Sequence, residues 1–248
     1  MSDKIFGKEN LFTENFNGTK VLTGAGLFIV SASIFIWGLY IFLSIGDINF
    51  LWRLIFLSVI IGAVGFIDDV CGDGSYRGFR GHFKALLQGE ITSGFLKVII
   101  SFIAVLLVVL PENQDFLSHG IDIVLILSVI NLFNLFDLRP GRALKVFILL
   151  SLIFVFSYQI VQLYFVPLFI IILMYLPFEM GEKVMLGDTG SNFLGAVFGL
   201  SITYVTGIYL KFLVVVVCVF LNLLAEKYSF SKFIVRNKFL SRLDKLGR

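Results

Sequence analysis

Charged side chains are scarce in this sequence. Asp, Glu, Lys and Arg make up 15% of its 248 residues, whereas hydrophobic residues make up 58%. A water-soluble domain carries about 25% charged residues, so this composition argues against an ordinary soluble globular protein. The apolar excess needs an apolar solvent, which indicates an integral membrane protein.

Cysteine and histidine are also rare, with two of each. Cys71 and Cys218 are far apart, which is typical of neither a disulfide framework nor a zinc motif. His82 and His119 are equally isolated, which disfavours a histidine-based metal site. A metal bound by this chain would therefore have oxygen ligands, and such ligands favour Mg²⁺ or Mn²⁺.

Long apolar runs predict an all-α, polytopic transmembrane bundle, because backbone polar groups in hydrocarbon need partners within their own segment. The sequence shows no linker or strong internal repeat, so residues 1–248 are predicted to form a single membrane-embedded domain. The eight predicted helices are Val21–Ser44, Phe50–Ile67, Phe95–Leu110, Ile121–Phe136, Leu144–Gln159, Leu163–Phe178, Asn192–Val205 and Ile208–Leu224.

Basic residues are distributed unevenly between the two sides of this predicted bundle. With segment 1–20 in the cytoplasm, 18 of the 20 Lys and Arg residues fall on the cytoplasmic side, and only Arg53 and Lys211 fall outside. Cytoplasmic loops carry such an excess, so both termini are predicted to be cytoplasmic. Seven basic residues in the tail 226–248 are interleaved with apolar residues at near-helical spacing, which predicts an amphipathic helix on the anionic inner leaflet; a solvated tail is the alternative.

Acidic and amide side chains collect at the predicted cytoplasmic ends of two helices. Asp68 and Asp69 end the second helix, and Asn131, Asn134 and Asp137 end the fourth. Adjacent carboxylates repel each other unless a cation is near, and ionisable groups at membrane depth are costly. These groups are therefore candidates for binding a metal or a substrate. The alternatives are a plain helix exit for the aspartate pair and bonding between helices for Asn131.

A third acidic group on the same predicted side lies in the segment LGDTGS at 186–191. One interpretation is a simple helix cap made by Asp188 and Thr189. The neighbouring Gly187 and Gly190 instead indicate close approach of a ligand to bare backbone at a helix N-terminus, where phosphate is favoured.

The loop after the second helix is basic. Arg80, Lys84 and Gln88 recur at intervals of four residues, so a helix would place them on one face. The alternative is a loop that only anchors the protein to the membrane surface. Carboxylates for Mg²⁺ beside cations for phosphate are the groups that phosphoryl transfer needs.

Together these motifs resemble the polyprenyl-phosphate N-acetylhexosamine-1-phosphate transferases, glycosyltransferase family 4. That family includes phospho-N-acetylmuramoyl-pentapeptide transferase and the UDP-N-acetylglucosamine–undecaprenyl-phosphate transferases. GFIDDV at 65–70, NLFNLFD at 131–137 and LGDTGSNFLGAVFG at 186–199 are similar to its three cytoplasmic signatures, in the same order. Thr23–Gly26 is similar to its early glycine motif.

The resemblance implies a phosphotransferase of cell-envelope biosynthesis in the cytoplasmic membrane. It would move a sugar-1-phosphate from a UDP-sugar to a polyprenyl phosphate and release UMP. The resemblance implies that Asp68, Asp69 and Asp137 are catalytic. It also implies that Asp137 and Asp188 hold Mg²⁺, or Mn²⁺ in its place. The expected substrate-binding residues are Lys84, Asn134, Arg80 and Gly187.

The sequence also departs from the family pattern. Pro140 stands where a second aspartate is expected, no histidine follows His119, and the family's first and last helices are missing. These departures keep a second hypothesis open, a non-catalytic homologue that binds lipid phosphate or nucleotide beside a partner enzyme. An ion-coupled transporter is disfavoured, because the acids cluster on one face and not at the bilayer midplane.

The expected partners are a polyprenyl phosphate lipid, a UDP-sugar and the membrane itself. No nucleic acid is expected among them. A homodimer is an open alternative to a monomer.

The charge asymmetry generates a topology test. A cysteine placed at Asn113 should react with an impermeant thiol reagent added outside intact cells, whereas cysteines at Tyr76 and Lys238 should react only after permeabilisation. Labelling of the Tyr76 position from outside would reverse the predicted orientation.

Overall fold

A computed structural model describes residues 12–14, 18, 20–72, 85 and 92–246. A short antiparallel hairpin, β1 (Phe12–Glu14) with β2 (Lys20–Leu22), precedes the helices. The helices are α1 (Leu27–Phe42), α2 (Ile48–Cys71), α3 (Ser93–Val109), α4 (Phe116–Phe136), α5 (Arg142–Ser157), α6 (Gln162–Met180), α7 (Gly187–Val205), α8 (Ile208–Lys227), α9 (Phe230–Arg236) and α10 (Lys238–Lys245).

Each of the eight predicted apolar runs forms a helix, from α1 to α8, which confirms the all-α fold class. The largest difference is at the start of the first helix: Val21 and Leu22, which were predicted to begin it, lie in strand β2, because that backbone pairs with β1, and α1 begins only at Leu27. Other differences lie at the polar ends of helices. Helix α2 continues to Cys71, so Asp68 and Asp69 lie in its last turn and not beyond its end. Helix α7 begins at Gly187, so Asp188 lies in its first turn.

Among the described residues, four helical segments are long and apolar enough to cross a membrane: α2, α4, α8, and α6 together with the short 3-10 turn before it. Helices α1 and α3 are apolar but shorter. The chain is accordingly an integral membrane protein. The total of eight spans and the cytoplasmic position of the termini stay predictions.

Helix α7 is the centre of the bundle. All its residues from Gly187 to Ile202 are buried except Asp188. A Cβ added at Gly195 would lie 2.6 Å from the Cα of Ile130, so α7 and α4 pack backbone against backbone. Small residues allow such close approach between membrane helices. Helix α8 lies at the periphery, since only Lys211 and Cys218 are buried along it.

Two ion pairs mark the end of the bundle where α2 begins. Arg53 pairs with Glu112 at 2.5 Å, and Lys211 pairs with Asp122 at 2.9 Å. Arg53 and Lys211 are the two basic residues that the positive-inside count leaves on the outer side. Each has an acidic partner, so neither adds an uncompensated positive charge to that side.

The contact between α4 and α7 can be tested at one glycine. Gly195→Ala should lower the thermal unfolding midpoint in detergent, because a methyl group 2.6 Å from the Cα of Ile130 overpacks the interface. Overpacking of this kind costs about 1–3 kcal/mol. Gly38→Ala in α1 is the matched control, since a Cβ there meets no heavy atom within 4 Å. Equal losses for the two variants would contradict the packing argument.

Candidate active site

The carboxylate of Asp69 binds the N-terminus of α7. Its Oδ1 accepts the Asp188 amide at 2.8 Å, and its Oδ2 accepts the Thr189 amide at 2.9 Å and the Thr189 hydroxyl at 2.5 Å. The first amides of a helix lack partners within the helix and carry a partial positive charge. The last turn of α2 is thereby fixed to the first turn of α7.

Two glycines make room for this contact. Gly187 has a φ of +67°, and a Cβ on it would lie 2.6 Å from the Oδ2 atom of Asp69. A Cβ at Gly65, one turn before Asp69 in α2, would lie 2.5 Å from the carbonyl oxygen of Asp188. The anion expected at this helix end is therefore a carboxylate of the protein, which takes the amides of Asp188 and Thr189. A substrate-binding role for Gly187 stays a prediction.

The early glycine motif packs against the same region. The Met185 amide donates to the carbonyl of Leu22 at 2.9 Å, and the Ala25 amide donates to the carbonyl of Met185 at 3.2 Å. A Cβ at Gly26 would lie 2.5 Å from the Cα of Gly190. Segments 22–26 and 184–190 thus form one unit at the start of α7, although they are far apart in the sequence.

Lys97, in the first turns of α3, supplies the positive charge of the site. Its ammonium group forms an ion pair with Asp188 and lies 3.2 Å from the Oδ2 atom of Asp68. One side chain thereby links α2, α3 and α7. The sequence analysis counts Lys97 only among the basic residues of the predicted cytoplasmic side. Its position near a helix start, on the side where the acids collect, was the signal that could have singled it out.

Asp137 caps the C-terminal end of α4, with Asn134 in the turn before it. Burial raises the pKa of the Asp137 carboxyl well above its usual range, and the nearby carboxylates of Glu179, Asp188 and Asp69 raise it further. The structure thus brings the aspartates from α2, α4 and α7 into one electrostatic environment. A second cation in this environment would relieve the repulsion among them.

Glu179, in the last turn of α6, is a site residue that the sequence analysis missed. Its carboxylate is 1% exposed, and Oε1 accepts the Gly141 amide at 2.7 Å. Gly141 has a φ of +70° and starts α5. Glu179 thereby fixes the loop that follows Asp137 and contains Pro140. The surrounding run from Leu176 to Lys183 offered no motif that set this glutamate apart.

Other predicted residues lie elsewhere. The side-chain amide of Asn131 donates to Asn222 of α8 at 2.8 Å, and Asn222 donates to the carbonyl of Ser128 at 2.9 Å. The interpretation of Asn131 as a bond between helices is therefore confirmed. Arg80 and Lys84 lie outside the described residues.

The acidic side chains of the site are the possible ligands of the expected metal ion. In the described part of the chain, no group of three or more His, Cys, Asp or Glu side chains is arranged to hold a metal ion. Mg²⁺ does not need such a cage, because it usually binds one or two carboxylates together with waters and substrate phosphates. The oxygen donors of Asp137 and Asp188 fit that chemistry, and metal binding stays a prediction.

Comparison with protein families agrees with this geometry. The model of the family described as glycosyl transferase family 4 matches residues 50–207, more than half of the chain. The chain belongs to glycosyl transferase family 4. Comparisons with curated proteins and with solved structures give no match. The part matched to glycosyl transferase family 4 contains Asp68, Asp69, Lys97, Asp137 and Asp188, so the described site lies within the family region.

Stability measurements can separate the two adjacent aspartates. Asp69→Asn removes the charge that three donors of α7 bind, and hydrogen bonds to charged groups contribute about 1.5–3 kcal/mol each. We expect a clear fall in the thermal midpoint for Asp69→Asn. The fall for Asp68→Asn should be smaller, because Asp68 contacts Lys97 and does not bind the amides of α7. A larger loss for Asp68→Asn would contradict the capping role of Asp69.

Proposed function

We propose that this protein transfers a sugar-1-phosphate from a UDP-sugar to a polyprenyl phosphate at the cytoplasmic face of the membrane. Family membership supports a membrane transferase. The observation that supports the specific reaction proposed here is the arrangement of Lys97 between Asp68 and Asp188, with Asp137 nearby. Phosphoryl transfer depends on positioned groups that neutralise charge, and this arrangement supplies both signs of charge at one end of the bundle.

The proposed reaction exchanges one phosphoanhydride bond for another. An oxygen of the lipid phosphate attacks the β-phosphorus of the UDP-sugar and forms a new P–O bond. The bond from that phosphorus to the oxygen bridging the two phosphates breaks, and UMP leaves with the electron pair. The lipid diphosphate sugar stays in the membrane.

The residues of the site take different parts in this proposal. Asp68, partly exposed at the end of α2, orients the lipid phosphate and accepts its proton where one is present. Lys97 neutralises phosphate oxygens, the part that the sequence analysis gave to Lys84. Asp69 is better described as a positioning residue, because both of its oxygens bind α7.

Asp137 and Asp188 would hold Mg²⁺ together with the diphosphate of the donor. When bound, the ion would screen the negative charge that gathers on the diphosphate. Asn134, one turn before Asp137, would contact the same nucleotide. Burial, and after it the nearby carboxylates, raises the pKa of the Asp137 carboxyl, and a divalent cation would offset the negative charge of those carboxylates.

A non-catalytic homologue is the second candidate. The observations that favour it are Pro140 in the loop after Asp137 and the ammonium group of Lys97, which already neutralises Asp68 and Asp188. Such a protein would bind lipid phosphate or nucleotide without turnover.

Release of UMP tests the proposal directly. Purified protein with undecaprenyl phosphate, Mg²⁺ and a panel of UDP-sugars should release UMP with at least one donor, and EDTA should abolish the release. Asp188→Asn should lower the rate by about a hundredfold or more, as loss of one electrostatic group at a reaction centre does. Asp115→Asn, at the opposite end of the bundle, is the control and should keep its activity.

No release from any donor would favour the non-catalytic candidate. The double variant Leu138→Gly/Pro140→Asp then decides whether this loop is the reason. Turnover gained by that variant over an inert wild type would assign the loss to the loop, whereas turnover in the wild type itself would refute the non-catalytic candidate.

A further inference from the structure

The C-terminal helix α10 is bound to the loop of the active site. Asp244 accepts two hydrogen bonds from the Arg142 guanidinium, from Nε at 2.7 Å and from Nη2 at 3.2 Å. The Nη1 atom of Arg142 donates to the Ser231 hydroxyl at 3.1 Å. Arg142 is 4% exposed, so the tail covers its charge almost completely. Loss of Asp244 would leave a buried guanidinium without its carboxylate.

Arg142 is the first residue of α5 and follows Asp137 by only five positions. Its amide donates to the carbonyl of Arg139 at 3.1 Å, and the preceding amide, of Gly141, donates to Glu179. The loop between Asp137 and Arg142 is therefore fixed from two sides, by α6 and by the tail. A displacement of Arg142 would be transmitted through four residues to Asp137.

The tail packs against the end of α4. Phe230 stacks on Phe136, the last residue of α4, with ring centroids 6.0 Å apart. The Lys145 ammonium donates to the carbonyls of Leu243 and Asp244 at 3.3 and 2.8 Å. In the described part of the chain, α4 is one of four helical segments long and apolar enough to cross a membrane, so the contact at its last residue is expected to hold the tail near the level of the headgroups.

The other faces of α10 point away from the protein. At about 100° per residue, Phe239, Leu243 and Leu246 form one stripe, distinct from the face of Asp244. These three side chains are 68%, 45% and 67% exposed. A third face, next to the apolar stripe, is basic and consists of Lys238, Arg242 and Lys245.

An apolar stripe flanked by bases at this depth has the chemistry of a helix lying in an anionic lipid surface. A second copy of the chain is a poorer partner for this surface, because its own exposed tail also carries an excess of positive charge. We propose that α10 docks on anionic lipid and, through Asp244 and Arg142, positions the Asp137 loop. Its effect on turnover rests on the proposed transferase function, whereas its effect on the loop does not.

The experiment uses the full chain in lipid nanodiscs, with Cys71 and Cys218 replaced by alanine. A nitroxide at Leu138→Cys, an exposed position in the loop, reports loop mobility by electron paramagnetic resonance. Discs of phosphatidylcholine alone are compared with discs that also contain phosphatidylglycerol. We expect the anionic lipid to immobilise the label in the otherwise unaltered chain but not in Asp244→Arg.

The charge swap Arg142→Asp/Asp244→Arg is the matched control. It retains both charges and should restore the response to phosphatidylglycerol. UMP release should follow the same order, with Asp244→Arg slower by on the order of tenfold in kcat and little changed in KM for the UDP-sugar. A merely structural lesion would lower the amount of folded protein and would leave the lipid response of the remaining folded protein unchanged.

The results that overturn the proposal are distinct. Equal label mobility in both lipids refutes lipid docking, and an intact lipid response in Asp244→Arg refutes the role of Asp244. Spin–spin broadening between labels at Leu246→Cys would show that a second copy covers the apolar stripe, which also refutes it. If the wild type releases no UMP but the mobility results hold, the transferase function fails and the proposal for the tail stands.

Discussion

A carboxylate and the positive end of a helix meet where Asp69 binds the first amides of α7. This contact fixes the end of α2 relative to the start of α7, and it thereby fixes the positions of Asp68 and Asp188. Glycine at positions 65 and 187 allows the two helices to approach this closely. A methyl group on Gly65 would clash with the Asp188 carbonyl, and one on Gly187 would clash with the Asp69 carboxylate. The first turn of α7 is thus organised by an anion that belongs to the protein.

The balance of charge around this contact explains what kind of ligand the site is built for. Lys97 and the helix end together compensate Asp68, Asp69 and Asp188. Asp137 accepts a hydrogen bond from the Gly187 amide and lies near the carboxylates of Glu179, Asp188 and Asp69. Among the described residues of the site, carboxylates therefore crowd at the end of α4, while the ammonium group of Lys97 lies at α2 and α3. A polyanionic substrate accompanied by a divalent cation matches that separation.

The sequence was informative where one physical rule dominates. Apolar runs identified eight helices because hydrocarbon permits little else, and the aspartates at 68, 137 and 188 were found because acids are rare in such a chain. The partners of these aspartates were not predictable in the same way. Lys97 and Glu179 reach the site only because α3 and α6 pack beside it. The local sequence does not predict which face of a helix a single charged residue lies on. The link from Asp244 to Arg142 spans 102 residues and depends on a turn of the tail that hydropathy cannot specify.

The backbone contacts of α7 have a consequence for the order in which the protein assembles. Asp69 and the amides that bind it are about 120 residues apart in the sequence, so α2 is synthesised and inserted long before α7 exists. During that interval Asp69 lacks the amides of Asp188 and Thr189, which it binds in the finished protein. The segment at 22–26 waits for the same event, because its partners at 184–190 are made together with those amides. Completion of the site is thus a late event in biogenesis, coupled to insertion of the central helix.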